Sequence, residues 1–256
     1  MNSELAQQVA AGDPDRFRAT LGAPPEVRPR LWLLYALNLQ VAQAPWASGE
    51  PLVAEMRLQW WIDALQDPTL PGAAGHPLLG DLMPLLQQTP ALRPVLVALA
   101  EARRRDCWRE GFASQGDLGA YLDATSGNLM WAAALVLGAP AGTEPVVRDF
   151  AWAAGLANWL RAVPALTARG LHPLPDTSGA AVAALARQGL ARLAAARARR
   201  AELPRQAAPA LFSGWLAPWV LARAAAAPGR VAGGGLEPSE FRRRASLLRP
   251  VFTGRW

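Results

Sequence analysis

The 256-residue sequence predicts an all-α protein. Apolar residues recur at helical spacing nearly throughout, Pro and Gly fall between those stretches, and no run alternates β-branched and polar residues as a half-buried strand does. Residues 30–44 (RLWLLYALNLQVAQA) read as a long helix. Ser48-Gly49-Glu50-Pro51 follows, with a hydroxyl suited to an N-cap and Pro51 in the first turn, so 52–66 is the next helix. Pro68 and Pro71 close it, since proline is poorly tolerated in a helix interior. Further helices are predicted over 77–88, 91–111, 118–137, 145–168, 179–203, 209–226 and 238–248. The gaps between them are short, which packs successive helices antiparallel in one bundle, and neither a fixed-period repeat nor a long linker divides the chain. Residues 1–256 therefore read as one domain. Gly233-Gly234-Gly235 is its candidate hinge, on which only 236–256, a C-terminal helix and tail, would move.

Hydrophobic residues make up 52% of the chain and charged residues 18%, below the roughly 25% usual in soluble domains, so much of the chain must be buried or pressed against an apolar partner. Global disorder is excluded. Cys107 is the only cysteine and His76 and His172 the only histidines, too few for a disulfide framework or a Cys/His zinc cage. Cys107 reads as a small core hydrophobe and the cytosolic side as the default compartment. The first 17 residues are polar and acidic, unlike a secretory signal, and the longest uncharged runs, 124–143 and 206–222, are interrupted by Gly and Pro. A soluble or peripheral protein is expected.

Charge is unevenly placed. Residues 1–150 carry 11 Arg against 16 acids, residues 151–256 carry 15 Arg against 4, and Lys is absent. An Arg-rich half without compensating carboxylates suits an anionic partner such as a membrane surface, a diphosphate or an acidic protein patch. Nucleic acid is disfavoured, because Arg187, Arg192, Arg197, Arg199, Arg200 and Arg205 spread around their helix and no reading motif accompanies them. Among the 11 Trp, Trp60 and Trp61 point to different sides of a helix while Trp152 and Trp159 share one face. Trp215 and Trp219, at i, i+4 in the uncharged stretch, are the candidates for a membrane-facing surface.

Phosphate loops, dinucleotide fingerprints, nucleophile elbows and zincin motifs are absent. Two carboxylate pairs have the i, i+4 spacing that lets a helix face hold Mg²⁺ through substrate phosphates: Asp63 with Asp67, and Asp106 with Glu110. The first lies at a helix end and the second beside Arg103-Arg104-Arg105, so solvation and local ion pairs account for both. Glu55, Gln59 and Asp63 form a polar stripe on an otherwise apolar helix, either its exposed side or the lining of a cleft.

The segments 33–43 (LLYALNLQVAQ), 55–65 (EMRLQWWIDAL), 155–161 (GLANWLR) and 169–175 (RGLHPLP), with Tyr121, Ser126-Gly127 and the closing Thr253-Gly254-Arg255-Trp256, resemble the squalene/phytoene synthase family over most of the chain. The resemblance implies an all-α, isoprenoid-synthase-like bundle around a central apolar cavity, in which two Asp-rich segments hold Mg²⁺ against prenyl diphosphates for head-to-head condensation. The acids are missing here. The first segment should place them at about Ala42, Gln43 and Trp46, and the D-x-x-x-D pair of the second falls on Ala162 and Leu166. None of these side chains is an acid that could ligate Mg²⁺. Pro164 should also kink or end its helix.

The N-L-Q-V-A and M-R-L-Q-W-W versions of the motifs resemble the family's degenerate branch, the complex I assembly factor 6 group with its bacterial relatives. That implies a protein partner, a respiratory complex subunit or assembly intermediate, and a peripheral place on the cytoplasmic face of the inner membrane. No metal, cofactor or nucleic acid is expected; Mg²⁺ enters only if the chain is an active prenyl-diphosphate transferase using other ligands, for which Glu55 and Asp63 are the nearby candidates. The cavity is expected to bind an isoprenoid or lipid tail or to be filled by Trp46, Trp60 or Trp61. Arg57, Arg161 and Arg169 are then the charge partners of any diphosphate, and Asn38, Tyr121, Asn128 and Asn158 the polar groups near the cleft. An exposed apolar or Arg-rich binding surface, away from the cavity mouth, is expected on 209–226 together with the basic C-terminal half.

Overall fold

Helices supply every regular element of the computed structural model, which describes residues 2–67, 69–73 and 75–256. Pro68, one of the two predicted helix stops, lies outside the described residues. The chain opens with α1 (Asn2–Gly12) and α2 (Pro14–Thr20), a pair that periodicity misses. Asp13 caps α2 by accepting from the Arg16 amide at 2.9 Å, with Pro14 in the first turn. Next come α3 (Arg28–Gln43), α4 (Pro51–Gln66) and α5 (Pro77–Gln88), each with proline in its first turn. Ser48 does not cap α4; its hydroxyl accepts from the Glu50 amide and shapes the preceding turn.

The predicted helix over 91–111 is two helices, α6 (Leu92–Ala102) and α7 (Arg104–Trp108), and it stops early because Arg109 is left-handed with φ 53°. Ser114 caps α8 (Gln115–Leu122), which continues through a π turn (Asp123–Gly127) into α9 (Asn128–Val136). The central helix α10 (Glu144–Ala168) runs through Pro164 without ending there, so proline removes one donor and the neighbouring turns hold. Ser178 caps α11 (Gly179–Ala198).

The predicted helix over 209–226 is instead a 3-10 run (Arg205–Gly214) followed by α12 (Ala217–Ala226), because Pro209 interrupts an α ladder and Pro218 starts a new one. This stretch is no outward surface: Leu211, Phe212, Trp215, Val220 and Leu221 are buried. Trp219 is half-buried beneath the guanidiniums of Arg223 and Arg242. The expected membrane face at Trp215 and Trp219 is thus overturned, since an uncharged run here packs on α10. The chain ends with α13 (Gly229–Ala232) and α14 (Glu240–Thr253).

Helix α10 is the axis of the core. It packs on α9, α11, α12 and the π turn, with Phe150 among the largest fully buried side chains. Cys107 is buried. Two close approaches explain small residues: a Cβ on Gly155 would lie 2.6 Å from Ser126 in the π turn, and one on Gly214 would lie 2.5 Å from Phe150. The tail after Gly233–Gly235 is fastened by Trp256, whose ring meets Phe150 edge-on at 5.0 Å and whose carbonyl accepts from Arg197 and Arg200. Among the described residues, no helix is long and apolar enough to cross a membrane.

Candidate functional site

The α1–α2 corner, the π turn, the middle of α10 and the start of α14 line an open cavity of about 630 Å³. Its wall is apolar only in part. Leu122, Trp159 and Leu216 share it with Asp15, Arg16 and Arg243. Behind Ser126 and Gly155, where Tyr35, Leu129 and Met130 pack, a further pocket holds only about 20 Å³.

Three internal ion clusters occupy the wall. In the first, Arg161 donates from Nε and Nη2 to the two carboxylate oxygens of Glu237, both at 2.9 Å, and from Nη1 to Asp15 at 3.1 Å. Arg243 bonds the same two acids, reaching Glu237 at 2.9 Å and Asp15 as well. These hydrogen bonds from Arg161 hold the Glu237 carboxyl below its usual pKa. In the second, the Tyr121 hydroxyl donates to Asp106 at 2.8 Å and accepts from Arg103 Nη1 at 2.9 Å, while Arg103 also pairs with Asp106 at 3.2 Å. Burial raises the Tyr121 pKa, so the phenol stays neutral and can donate. In the third, Arg16 pairs with Asp13 and lies 5.2 Å over the ring of Tyr35. Burial pushes the Tyr35 phenol up to about 12.

A smaller pocket of about 100 Å³ adjoins on the far side of Tyr121 and Trp159, and Trp46 and Leu166 line it. Phe112, Tyr121 and Trp159 form an aromatic corner with centroids 5.4 to 5.7 Å apart. Arg105 lies 4.3 Å over Phe112 and Arg169 5.5 Å over Trp46. Two of the positions at which acids are missing thus face this aromatic pocket, and a third, Ala162, lines the main cavity. Ala42 is half-buried and Gln43 exposed.

Of the site residues read from sequence, Asn38, Tyr121, Asn158 and Arg161 line the main cavity. The others lie elsewhere. Glu55, Gln59 and Asp63 run along the side of α4 that meets α6 and α7: Arg104 donates to Glu55 at 3.0 Å and to Gln59, the Trp108 indole donates to Glu55, and Gln59 donates to Asp63. That settles the stripe as an outer seam. Arg57 is exposed. Asn128 is buried and accepts from Arg148 at 2.9 Å, beside Asp123 and Glu144. Trp60 and Trp61 pack on His76 and do not fill the cavity. Sequence reading misses Asp13, Asp15, Arg16, Arg103, Glu237 and Arg243. The Asp13-Pro14 pair, a cap followed by an N1 proline, is the signal that would have found the first corner.

The carboxylates on the cavity are all engaged within the protein. Each already accepts from an arginine, and among the described residues no three His, Cys, Asp or Glu converge.

A bundle of this kind, with the cavity beside its longest helix, is the isoprenoid-synthase class of all-α fold. It aligns with a dehydrosqualene synthase structure at TM-score 0.76 and 13% identity, covering 99% of this chain and 95% of that one. Squalene synthase HpnC from Alicyclobacillus acidocaldarius aligns at TM-score 0.74 and 15% identity, covering 87% and 92%. Residues 9–250 match the squalene/phytoene synthase family model, and the chain belongs to that family. Mouse (Mus musculus) NADH dehydrogenase (ubiquinone) complex I, assembly factor 6 is 23% identical over 164 residues, 64% of this chain and 49% of that protein. The match therefore spans about half the length of that curated relative.

Proposed function

We propose that this chain is a non-catalytic member of the family that acts by binding, as a factor in the assembly of respiratory complex I. The pairing of acids with arginines around the cavity carries the non-catalytic part of this reading. Diphosphate departure needs a metal to neutralise the leaving group, and Ala42, Gln43, Trp46, Ala162 and Leu166 supply no acid. Freeing Asp106 to take up that role would leave Arg103 without a carboxylate, and freeing Asp15 or Glu237 would strip Arg161 and Arg243 of one of the two acids they share, in a partly buried wall. On this reading the chain acts without Mg²⁺. Its partner is a subunit or assembly intermediate of the respiratory complex, which the likeness to the mouse assembly factor supports. It works peripherally on the cytoplasmic face of the inner membrane.

The test is genetic and biochemical. Deleting the gene in its own host should lower NADH:quinone oxidoreductase activity of isolated membranes while succinate oxidation is unchanged. Equal loss of both, or of neither, contradicts the proposal. The cavity itself favours a second reading, an isoprenoid- or lipid-binding scaffold, because about 630 Å³ remains beside Arg103 and Trp159. Binding heat with farnesyl diphosphate in the presence of a chelator, without turnover, would support it.

A further inference from the structure

The outward face of α14 carries three large apolar side chains in a line. Phe241 is 82% exposed, Leu248 53% and Phe252 81%. At 100° per residue the three fall within about 40° of one another on the helix circumference. Arg244 flanks the line on one side and Arg242 and Arg249 on the other. On the opposite, inward side Arg243 is tied to Asp15 and Glu237, and Pro250 is buried. The helix is therefore fixed to the body with its apolar line outermost.

Charge around the line is uncompensated. Among the described residues, Arg242, Arg244, Arg249 and Arg255 pair with no carboxylate, and the one acid on α14, Glu240, is shared by Arg18 and Arg243. Behind the helix, desolvation lowers the pKa values of Arg197 and Arg200, and like-charge repulsion adds to it, from Arg200 and then Arg249 on Arg197 and from Arg255 and then Arg249 on Arg200. Three side chains of this size would bury roughly 400 Å² at most, about half of what each partner gives up in a standard protein interface. A narrow convex apolar line with cations on both sides matches the boundary between anionic headgroups and acyl chains.

We propose that α14 is an interfacial anchor that lays Phe241, Leu248 and Phe252 into an anionic bilayer surface while Arg242, Arg244 and Arg249 engage the lipid phosphates. The inference rests on the peripheral-membrane part of the reading above and assigns the surface that carries it. The apolar side chains would reach about 5–10 Å into the headgroup boundary.

Co-sedimentation of the full chain with vesicles tests it. Phosphatidylcholine vesicles containing about 30 mol% phosphatidylglycerol should bind at least tenfold more tightly than pure phosphatidylcholine, and the preference should fade as salt screens the charges. Phe241→Ser with Phe252→Ser should weaken that binding about a hundredfold with the thermal midpoint unchanged, since both side chains are largely exposed. Arg244→Gln with Arg249→Gln should weaken it at least tenfold. Binding that the Phe variant retains, or no binding to anionic vesicles at low salt, overturns the proposal. Capture of an acidic protein without vesicle binding overturns it as well. The complex I reading is judged separately by membrane activity in the deletion strain, so the two fail independently.

Discussion

Replacing Arg161 with methionine keeps most of the apolar stem of the side chain and deletes the guanidinium that joins α10 to Asp15 and Glu237. Glu237 is 54% exposed, so solvent screening limits its doubly bonded pair with Arg161 to about 0.5–1 kcal/mol. Asp15 is only 19% exposed, and losing a charge-assisted bond there costs about 1.5–2 kcal/mol, held down because Arg243 still reaches it. Arg161→Met is expected to cost about 2–3 kcal/mol in total. Urea unfolding followed by tryptophan fluorescence reads this as a lower midpoint at unchanged m-value. The loss should also depend on pH. Glu237 titrates below its ordinary 4.5 in the folded protein, so its contribution is present above 4.5 and disappears as pH falls through the lower folded value. The gap between wild type and variant should therefore narrow between about pH 5 and pH 3. A gap below about 0.5 kcal/mol at pH 7, or one that stays constant into acid, would refute the clamp.

Three further outcomes are expected. Tyr121→Phe should cost about 1–2 kcal/mol by urea unfolding, because Asp106 and Arg103 both lose a partner; a change under about 0.3 kcal/mol would mean the phenol is dispensable. Gly214→Ala should destabilise by about 1–3 kcal/mol through collision with Phe150 and Ala154, whereas Gly80→Ala on the open side of α5 should stabilise by up to about 1 kcal/mol, and effects of the same sign would contradict the packing. Cys107, pushed up to about 11 by burial, should resist thiol reagents at pH 8 until the protein unfolds; its stabilising share is present below 9.0 and lost as pH climbs toward 11, and labelling faster than unfolding would contradict its placement.

Much of the architecture was legible because proline marks helix starts. Pro51, Pro77 and Pro145 each sit in a first turn, which puts the predicted and observed beginnings of those helices within about one residue. The uncharged run at 209–226 misled for a physical reason: lack of charge suits a core and an interface equally, and only the position of α10 separates them. The Glu55 stripe was undecidable in the same way until Arg104, 49 residues on, claims it. The cavity's charges were the least visible. Asp15 meets Arg243 across 228 residues, and neither spacing nor periodicity carries information over that distance. Four cavity residues were reachable only because the family resemblance placed Asn38, Tyr121, Asn158 and Arg161 on motif segments.

On the proposed function, arginines rather than a metal hold the acids of this cavity. Incubating the purified chain with farnesyl and geranylgeranyl diphosphate, with and without Mg²⁺, and recording diphosphate release puts this to the test. No release under either condition is the predicted result, whether or not the ligand binds. Mg²⁺-dependent release that is lost in Asp15→Asn or Asp106→Asn variants that remain folded would contradict it, because those acids would then be ligands and their arginine partners secondary.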